Sequence, residues 1–222
     1  MNLLVYFNEF NVTMGKFRYL PIVSGILKAF AEIDPLIQRN YDFAPFIYEM
    51  DSVSNVLARY SNPPNVAAFS VSMWNEQLNL AVAQGVKACW PDCLIVFGGY
   101  QVPNVPEVYM MAHPFVDVCV TAAGEETFRD ILLRRIGCPA SWDFSGILGL
   151  TYRSREASEL ISNSGERKFG KDLDVYPSAY LTGQFDGLLA ERGDDRDWQA
   201  IIETNRGCPF PCSFCAWGRG GL

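Results

Sequence analysis

Histidine is nearly missing from this 222-residue chain: His113 is the only one. A metal centre built on imidazole, or a nucleophile activated by histidine, therefore has one candidate, and it sits beside Pro114 in what reads as a connecting loop. A surface or capping role is the simpler expectation. Positive charge is also short. Lys and Arg number 18 against 25 Asp and Glu, a net charge of -7, and no run of five or six basic residues occurs. That excludes a general nucleic-acid surface and an anionic-membrane surface. Long apolar runs are missing too, each being broken by polar residues or proline within about ten positions where about twenty are needed to span a bilayer. No positive region precedes Met1–Phe7, so this stretch reads as a first strand rather than a signal peptide, and a cytoplasmic location is expected. What remains is 49% hydrophobic and 19% charged. That is enough for a sizeable core and not the profile of disorder. The length suits one large domain, or one domain with the start of another.

Cysteine, by contrast, is plentiful. Seven residues, an odd number, in an acidic chain without a signal point to metal chemistry rather than a disulfide framework. Cys208, Cys212 and Cys215 are spaced CxxxCxxC. Clusters that only carry electrons normally take four thiolates, so three can hold four irons and leave one iron without a protein ligand. An open position of this kind separates catalytic metal sites from closed structural ones. Gly207, Pro209 and Pro211 stiffen the loop, and Phe214 is placed to stack on a ligand's ring. The alternatives are a zinc site, which would want CxxC pairs and a fourth ligand, or three unrelated cysteines. Cys89 and Cys93 span a helix end and read as buried free thiols; Cys119 reads as core, and Cys138 has nothing nearby to activate it.

Short apolar runs alternate with amphipathic ones up to about residue 136. The expected strands are Leu3–Phe7, Phe46–Glu49, Val66–Ser72, Leu94–Phe97 and Val116–Thr121, nearly all apolar as in a parallel sheet buried on both faces. Glu76–Cys89 carries Leu78, Ala81, Val82, Val86 and Cys89 on one helical face. A second helix opens at Glu125 and Glu126, with Phe128, Ile131, Leu132 and Ile136 as its stripe. The pattern predicts an α/β fold with a doubly wound, mostly parallel, Rossmann-like (flavodoxin-like) sheet. Ligands in such sheets bind beyond the C-terminal strand ends. There lie Asn8–Lys16, Ser70–Asn75, Gly98-Gly99-Tyr100 and Ala122–Glu125, all small, polar or glycine-rich. Trp74 would either cover a flat ligand or pack on the next helix. After Ile136, Ile147–Arg153 and Glu159–Ser162 predict a hairpin, and Asp172–Arg196 has linker composition. Glu191–Asp197 reads as a solvated run balanced by arginines. Ala200–Thr204 is expected to be a new strand running into the cysteine loop. The divisions are 1–140 for the α/β domain, 141–198 for hairpin and linker, and 199–222 for the start of another domain.

The run Ile202-Glu203-Thr204-Asn205-Arg206-Gly207-Cys208-Pro209-Phe210-Pro211-Cys212-Ser213-Phe214-Cys215 resembles the cluster loop of radical S-adenosylmethionine enzymes, which follows the first strand of their barrel. Ser70–Asn75, Val96–Gly99, Val116-Asp117 and Gly124–Phe128 resemble the subgroup with an N-terminal cobalamin-binding domain, and Asp172–Leu181 resembles its linker. Two departures stand out. The loop Asn8–Gly15 has no Asp-x-His-x-x-Gly motif, so the resemblance implies cobalamin held without histidine on cobalt, or a domain that has lost cobalamin. Ala122-Ala123-Gly124-Glu125 stands where relatives often read Gly-Glu-Gly-Glu.

The resemblance implies a 4Fe-4S cluster on Cys208, Cys212 and Cys215. It further implies S-adenosylmethionine with Phe214 near its adenine, and cobalamin bordered by Ser70, Ser72, Gly98, Gly99 and Gly124. Reductive cleavage would give a 5′-deoxyadenosyl radical, with methyl transfer to carbon as the favoured outcome. The implied partners are a small-molecule substrate and an external electron donor, not nucleic acid or membrane. The chain ends seven residues after Cys215, while a barrel needs about 200 residues, so a fragment holding only the first strand and cluster loop of the barrel is expected. The rival reading is a non-catalytic cobalamin- or nucleotide-binding module with a structural cysteine tail.

Overall fold

The computed structural model describes residues 2–121, 123–137, 142–155, 159–163, 165, 167, 172–190, 196–203, 206–208, 210 and 212–214. Ala122, Cys138, Pro209, Pro211 and Cys215, with residues 191–195 of the acidic run, lie outside them. The first half holds β1 (Leu3–Asn11), β2 (Phe17–Tyr19), α1 (Ile22–Ala31), α2 (Pro35–Asn40), β3 (Tyr41–Phe43), β4 (Ile47–Glu49), α3 (Val53–Ala58), β5 (Val66–Ser70) and α4 (Glu76–Cys89). The second holds β6 (Leu94–Gly98), α5 (Glu107–Ala112), β7 (Val118–Val120), α6 (Gly124–Gly137), β8 (Leu150–Arg153), β9 (Leu160–Asn163), α7 (Asp186–Ala190) and β10 (Asp197–Gln199).

Successive strand residues point to opposite faces, and here both faces are apolar. Val5 and Phe7 of β1, Val66 and Ala68 of β5, Leu94 and Val96 of β6, and Val118 and Val120 of β7 meet Phe128, Ile131 and Leu132 of α6. Their neighbours Tyr6, Ala67, Phe69, Ile95, Phe97 and Cys119 meet Val82, Ala83 and Val86 of α4, with Val56 of α3 and Met110 of α5. Helices must then cover both faces, which is the doubly wound arrangement. The main sheet runs β3-β1-β5-β6-β7-β8-β9, with β4 also on β1. Its pairs are parallel through β7, with Val5 opposite Val66 and Val66 opposite Leu94. β3 and β4 share one side of β1; Pro45, which has no N–H to donate, falls in the gap between them. The expected hairpin is present as β8 and β9, and it continues the sheet antiparallel from β7.

Two parts differ from expectation. Strand β1 runs on to Asn11, so the loop after it starts later. Residues 200–203 form no strand; the strand lies earlier, at β10, and pairs in parallel with β2. Side chains explain the shift. The Arg18 guanidinium sits 3.9 Å from the Trp198 ring centroid, and Trp198 packs on Tyr48 at 5.3 Å, whereas Ile202 is exposed. Before β10, Ala179, Phe185 and Leu188 join Leu20 and Tyr48 in a small third core. Phe185 approaches α1 so closely that a Cβ on Gly25 would lie 2.3 Å from its ring.

Helix α1 begins after Pro21 with no side-chain cap of its own. A distant residue substitutes: Glu9 of β1 accepts the Ser24 and Val23 amides at 2.7 and 3.4 Å, satisfying donors that a helix start leaves orphaned. Burial pushes the Glu9 carboxyl up to about 7 from 4.5, against the opposing pull of those amides. The native chain thus holds this proton more tightly than the unfolded one. Its contribution to stability is present below the unfolded value and is lost as pH rises through 7. Urea unfolding should show stability falling between pH 4.5 and pH 7.5, and Glu9→Gln should remove roughly 1–3 kcal/mol of that fall.

Candidate cofactor edge and cysteine loop

Loops leave the C-terminal ends of β1, β5, β6 and β7 along one edge. The β5–α4 loop is held by amides. The Ser72 N–H donates to Asn75 Oδ1 at 2.8 Å, while Asn75 Nδ2 donates to the carbonyls of Phe10 (2.9 Å) and Ser70 (3.0 Å). Asn79, buried one turn into α4, donates to the Ser70 carbonyl at 3.1 Å and to Asn75 Oδ1 at 2.8 Å. Asparagine is a weak helix former, so its place inside α4 marks a tertiary task. Sequence reasoning passed over Asn79; a polar residue four positions after Asn75 on the helix's buried side was the available signal. The clamp leaves Met73 and Trp74 standing out from the edge. Trp74 is 53% exposed.

Ser70 and Gly98 are ladder partners at the ends of β5 and β6, and a Cβ on Gly98 would meet Val120 of β7 at 3.8 Å. Ser70 and Gly98 thus place two small residues side by side at these strand ends, next to Val120 of β7. Gly99 serves the backbone. Its φ of +112° and a Cβ 2.5 Å from the Val71 carbonyl exclude any side chain there. Tyr100 beside it is exposed. Gly124 opens α6, and a Cβ there would touch Leu27 of α1 at 3.4 Å, so this glycine also serves helix packing.

The two carboxylates that open α6 are both engaged. Glu126 accepts the Tyr176 hydroxyl at 2.8 Å and pairs with Arg167. Glu125, buried, pairs with Arg206, whose Nε also lies 2.8 Å from Glu203. The Arg206 guanidinium lies 5.5 Å from the Tyr176 ring centroid. Burial by itself would lower the Arg206 pKa, but the Glu125 and Glu203 carboxylates outweigh it and hold it above its ordinary value. Immediately beyond come Gly207 with φ +81°, the half-buried Cys208 and the exposed Cys212. Phe214 is 91% exposed.

Among the described residues no three His, Cys, Asp or Glu side chains gather as a metal site. The remaining candidates fall away from this edge. His113 ends α5, packed against Tyr109 at 4.8 Å and Phe115 at 5.8 Å. Cys93 and Cys119 are buried, and burial pushes both thiols up to about 12, which leaves them inert. Cys89 departs from its expected burial: it is exposed at the last position of α4.

No protein-family model matches the chain. It is 36% identical over 201 residues to the 2-(S-pantetheinyl)-carbapenam-3-carboxylate methyltransferase of Streptantibioticus cattleyicolor, covering 90% of this chain and 29% of that protein. It is also 36% identical over 217 residues to the cobalamin-dependent radical SAM methyltransferase TokK of Streptomyces tokunonensis, covering 96% of this chain and 30% of the relative. The fold resembles that of the cobalamin-dependent S-adenosylmethionine radical enzyme OxsB, solved with aqua-cobalamin and S-adenosylmethionine, with TM-score 0.68, 16% identity, 96% of this chain covered and 28% of that one. The chain is a member of the cobalamin-binding radical S-adenosylmethionine family. It spans less than a third of the length of the relatives it matches.

Gly98 and Gly99 make opposite predictions. Gly99→Ala should lower unfolding stability by about 1–3 kcal/mol, since it forces a left-handed φ on a residue with no room for its methyl group. Gly98→Ala should leave the melting midpoint unchanged; calorimetry of the two variants checks both.

Proposed function

We propose that this chain carries the cobalamin-binding edge and the cluster loop of a cobalamin-dependent radical S-adenosylmethionine methyltransferase that methylates a carbon of a small molecule and draws electrons from an external donor. The observation that carries this reading is the edge formed by β5, β6 and β7. Ser70 and Gly98 stand side by side at the ends of β5 and β6, next to Val120 of β7, and Trp74 and Tyr100 are exposed in the loops that follow. A flat macrocycle is the kind of ligand that small strand ends and an exposed aromatic face accommodate. The residues fit cobalamin held without histidine on its metal, because the loop after β1 contains none and His113 is committed elsewhere. They fit an iron–sulfur cluster by donor chemistry: Cys208 and Cys212 present soft thiols at a partly open surface.

When bound, the cluster supplies reductive cleavage of S-adenosylmethionine and cobalamin supplies a transferable methyl group. The chain's own part is positioning. Ser70, Ser72, Gly98, Gly99 and Gly124 would border the cobalamin. The Asn75–Asn79 clamp would fix the height of Trp74 over it. Cys208, Cys212 and Cys215 would ligate iron, with Phe214 set to stack on adenine.

Equilibrium titration with aquacobalamin, followed by its visible bands, should show one-to-one binding, weakened about tenfold by Trp74→Ala, or roughly 1.4 kcal/mol. Anaerobic reconstitution with iron and sulfide should give visible charge-transfer absorption that Cys208→Ser abolishes. Cobalamin binding with no iron uptake by the wild-type chain would instead favour the non-catalytic module. Absence of both ligands would sink the proposal.

A further inference from the structure

One ion pair joins the two ligand-bearing regions. Arg206 lies two residues before Cys208, and its side chain is only 14% exposed. It reaches Glu125, whose side chain is 7% exposed, at the start of α6, immediately after the loop that leaves β7. Glu203 closes the other side of the guanidinium at 2.8 Å, and Tyr176 covers its face while donating its own hydroxyl to Glu126. Arg206 therefore has a fixed carboxylate on the α/β domain, a second on its own segment and an aromatic lid from the linker. Surface pairs contribute little, but a buried one is costly to break because the surviving charge is left uncompensated. Upstream of this anchor, Ile201 and Ile202 are exposed and residues 200–203 join no strand, with the Ile201 carbonyl accepting the Tyr180 hydroxyl at 2.7 Å.

We propose that Arg206 and Glu125 are a positioning pair, which seats the root of the cysteine loop on the N-terminus of α6 and so sets where Cys208 stands relative to the β5–β6–β7 edge. The proposal rests on the functional reading above for the use made of that position, but the seating itself is a property of the ligand-free chain. Guanidinium geometry suits the task, since a planar fork held by two carboxylates fixes direction as well as distance. The same pair offers a route by which a ligand pressing on the β7–α6 loop would reach the thiols.

Hydrogen–deuterium exchange on the ligand-free chain tests the seating directly. Peptides covering residues 206–214 should exchange at least tenfold faster in Glu125→Gln and in Arg206→Met than in the wild type, with strands β1, β5 and β6 unchanged. Wild-type exchange rates in both variants would overturn the proposal. Should either variant loosen the whole sheet, the charge-exchanged double variant Glu125→Arg/Arg206→Glu decides: restored loop protection supports the pair, and continued rapid exchange overturns it. A second readout uses the reconstituted chain, where loss of iron to a chelator should be faster in Glu125→Gln. If the wild type takes up no iron, the cluster reading fails, while the exchange result still judges the seating.

Discussion

The constraint on which the rest depends is the two-sided burial of the central strands. β1, β5, β6 and β7 carry apolar side chains on both faces, so neither face can meet water and helices must cover each. Parallel neighbours cannot be joined by tight turns, so β5, β6 and β7 are linked through α4 and α5, which return the chain to the opposite end of the sheet. With both faces covered, the strand ends are where backbone and small side chains remain open. The small strand ends at Ser70 and Gly98 lie there, as do the exposed Trp74 and Tyr100 in the loops that follow.

Several of the polar groups that enter this frame perform a structural task. Glu9 caps a helix that has no cap of its own. At the far end of the sheet, Asp117 accepts the Ile95 amide and pairs with Lys87, both at 2.7 Å, tying β6 and α4 to the start of β7. Asn75 and Asn79 satisfy the carbonyls left free where β1 and β5 end. Each connects segments far apart in sequence, and each sits where regular hydrogen bonding stops. The pairs on α6 follow the same logic: Glu125 and Glu126 lie at a helix start, where negative charge is favoured, and they gather Arg206, Arg167 and Tyr176 from the segment that follows the sheet.

The central fold was legible because strand and helix periods are local. Glu76–Cys89 was readable from its apolar period and is α4 to the residue, although Ala81 and Cys89 of the expected stripe are exposed and the buried side is Asn79, Val82, Ala83 and Val86; the hairpin after residue 147 was readable from its charged turn. α1 was not, because Ile22–Ala31 follows Pro21 without a capping side chain or an acidic first turn, so the usual start signal is missing. Ala200–Thr204 was misplaced for a related reason. Ile201 and Ile202 have strand propensity, but a strand needs a partner, and the available one, Phe17–Tyr19, aligns with Asp197–Gln199. On the candidate edge, the glycines and serines were visible as composition, whereas the distinct duties of Gly98, where a methyl group would meet Val120 at ordinary contact distance, and Gly99, which cannot bear one, depend on where Val71 and Val120 lie.

By itself the sequence determined the central parallel strands, their two-sided core, the spacing of the three cysteines and the family, because apolar period and ligand spacing are written along the chain. Only the tertiary structure decided which polar residues act together. Glu125 and Arg206 are 81 positions apart, as Phe10 and Asn75 are 65. Nothing local in either partner specifies the other. Such pairs form because the crossovers bring those backbones to one edge, and burial there makes an unmatched charge or amide too costly to leave.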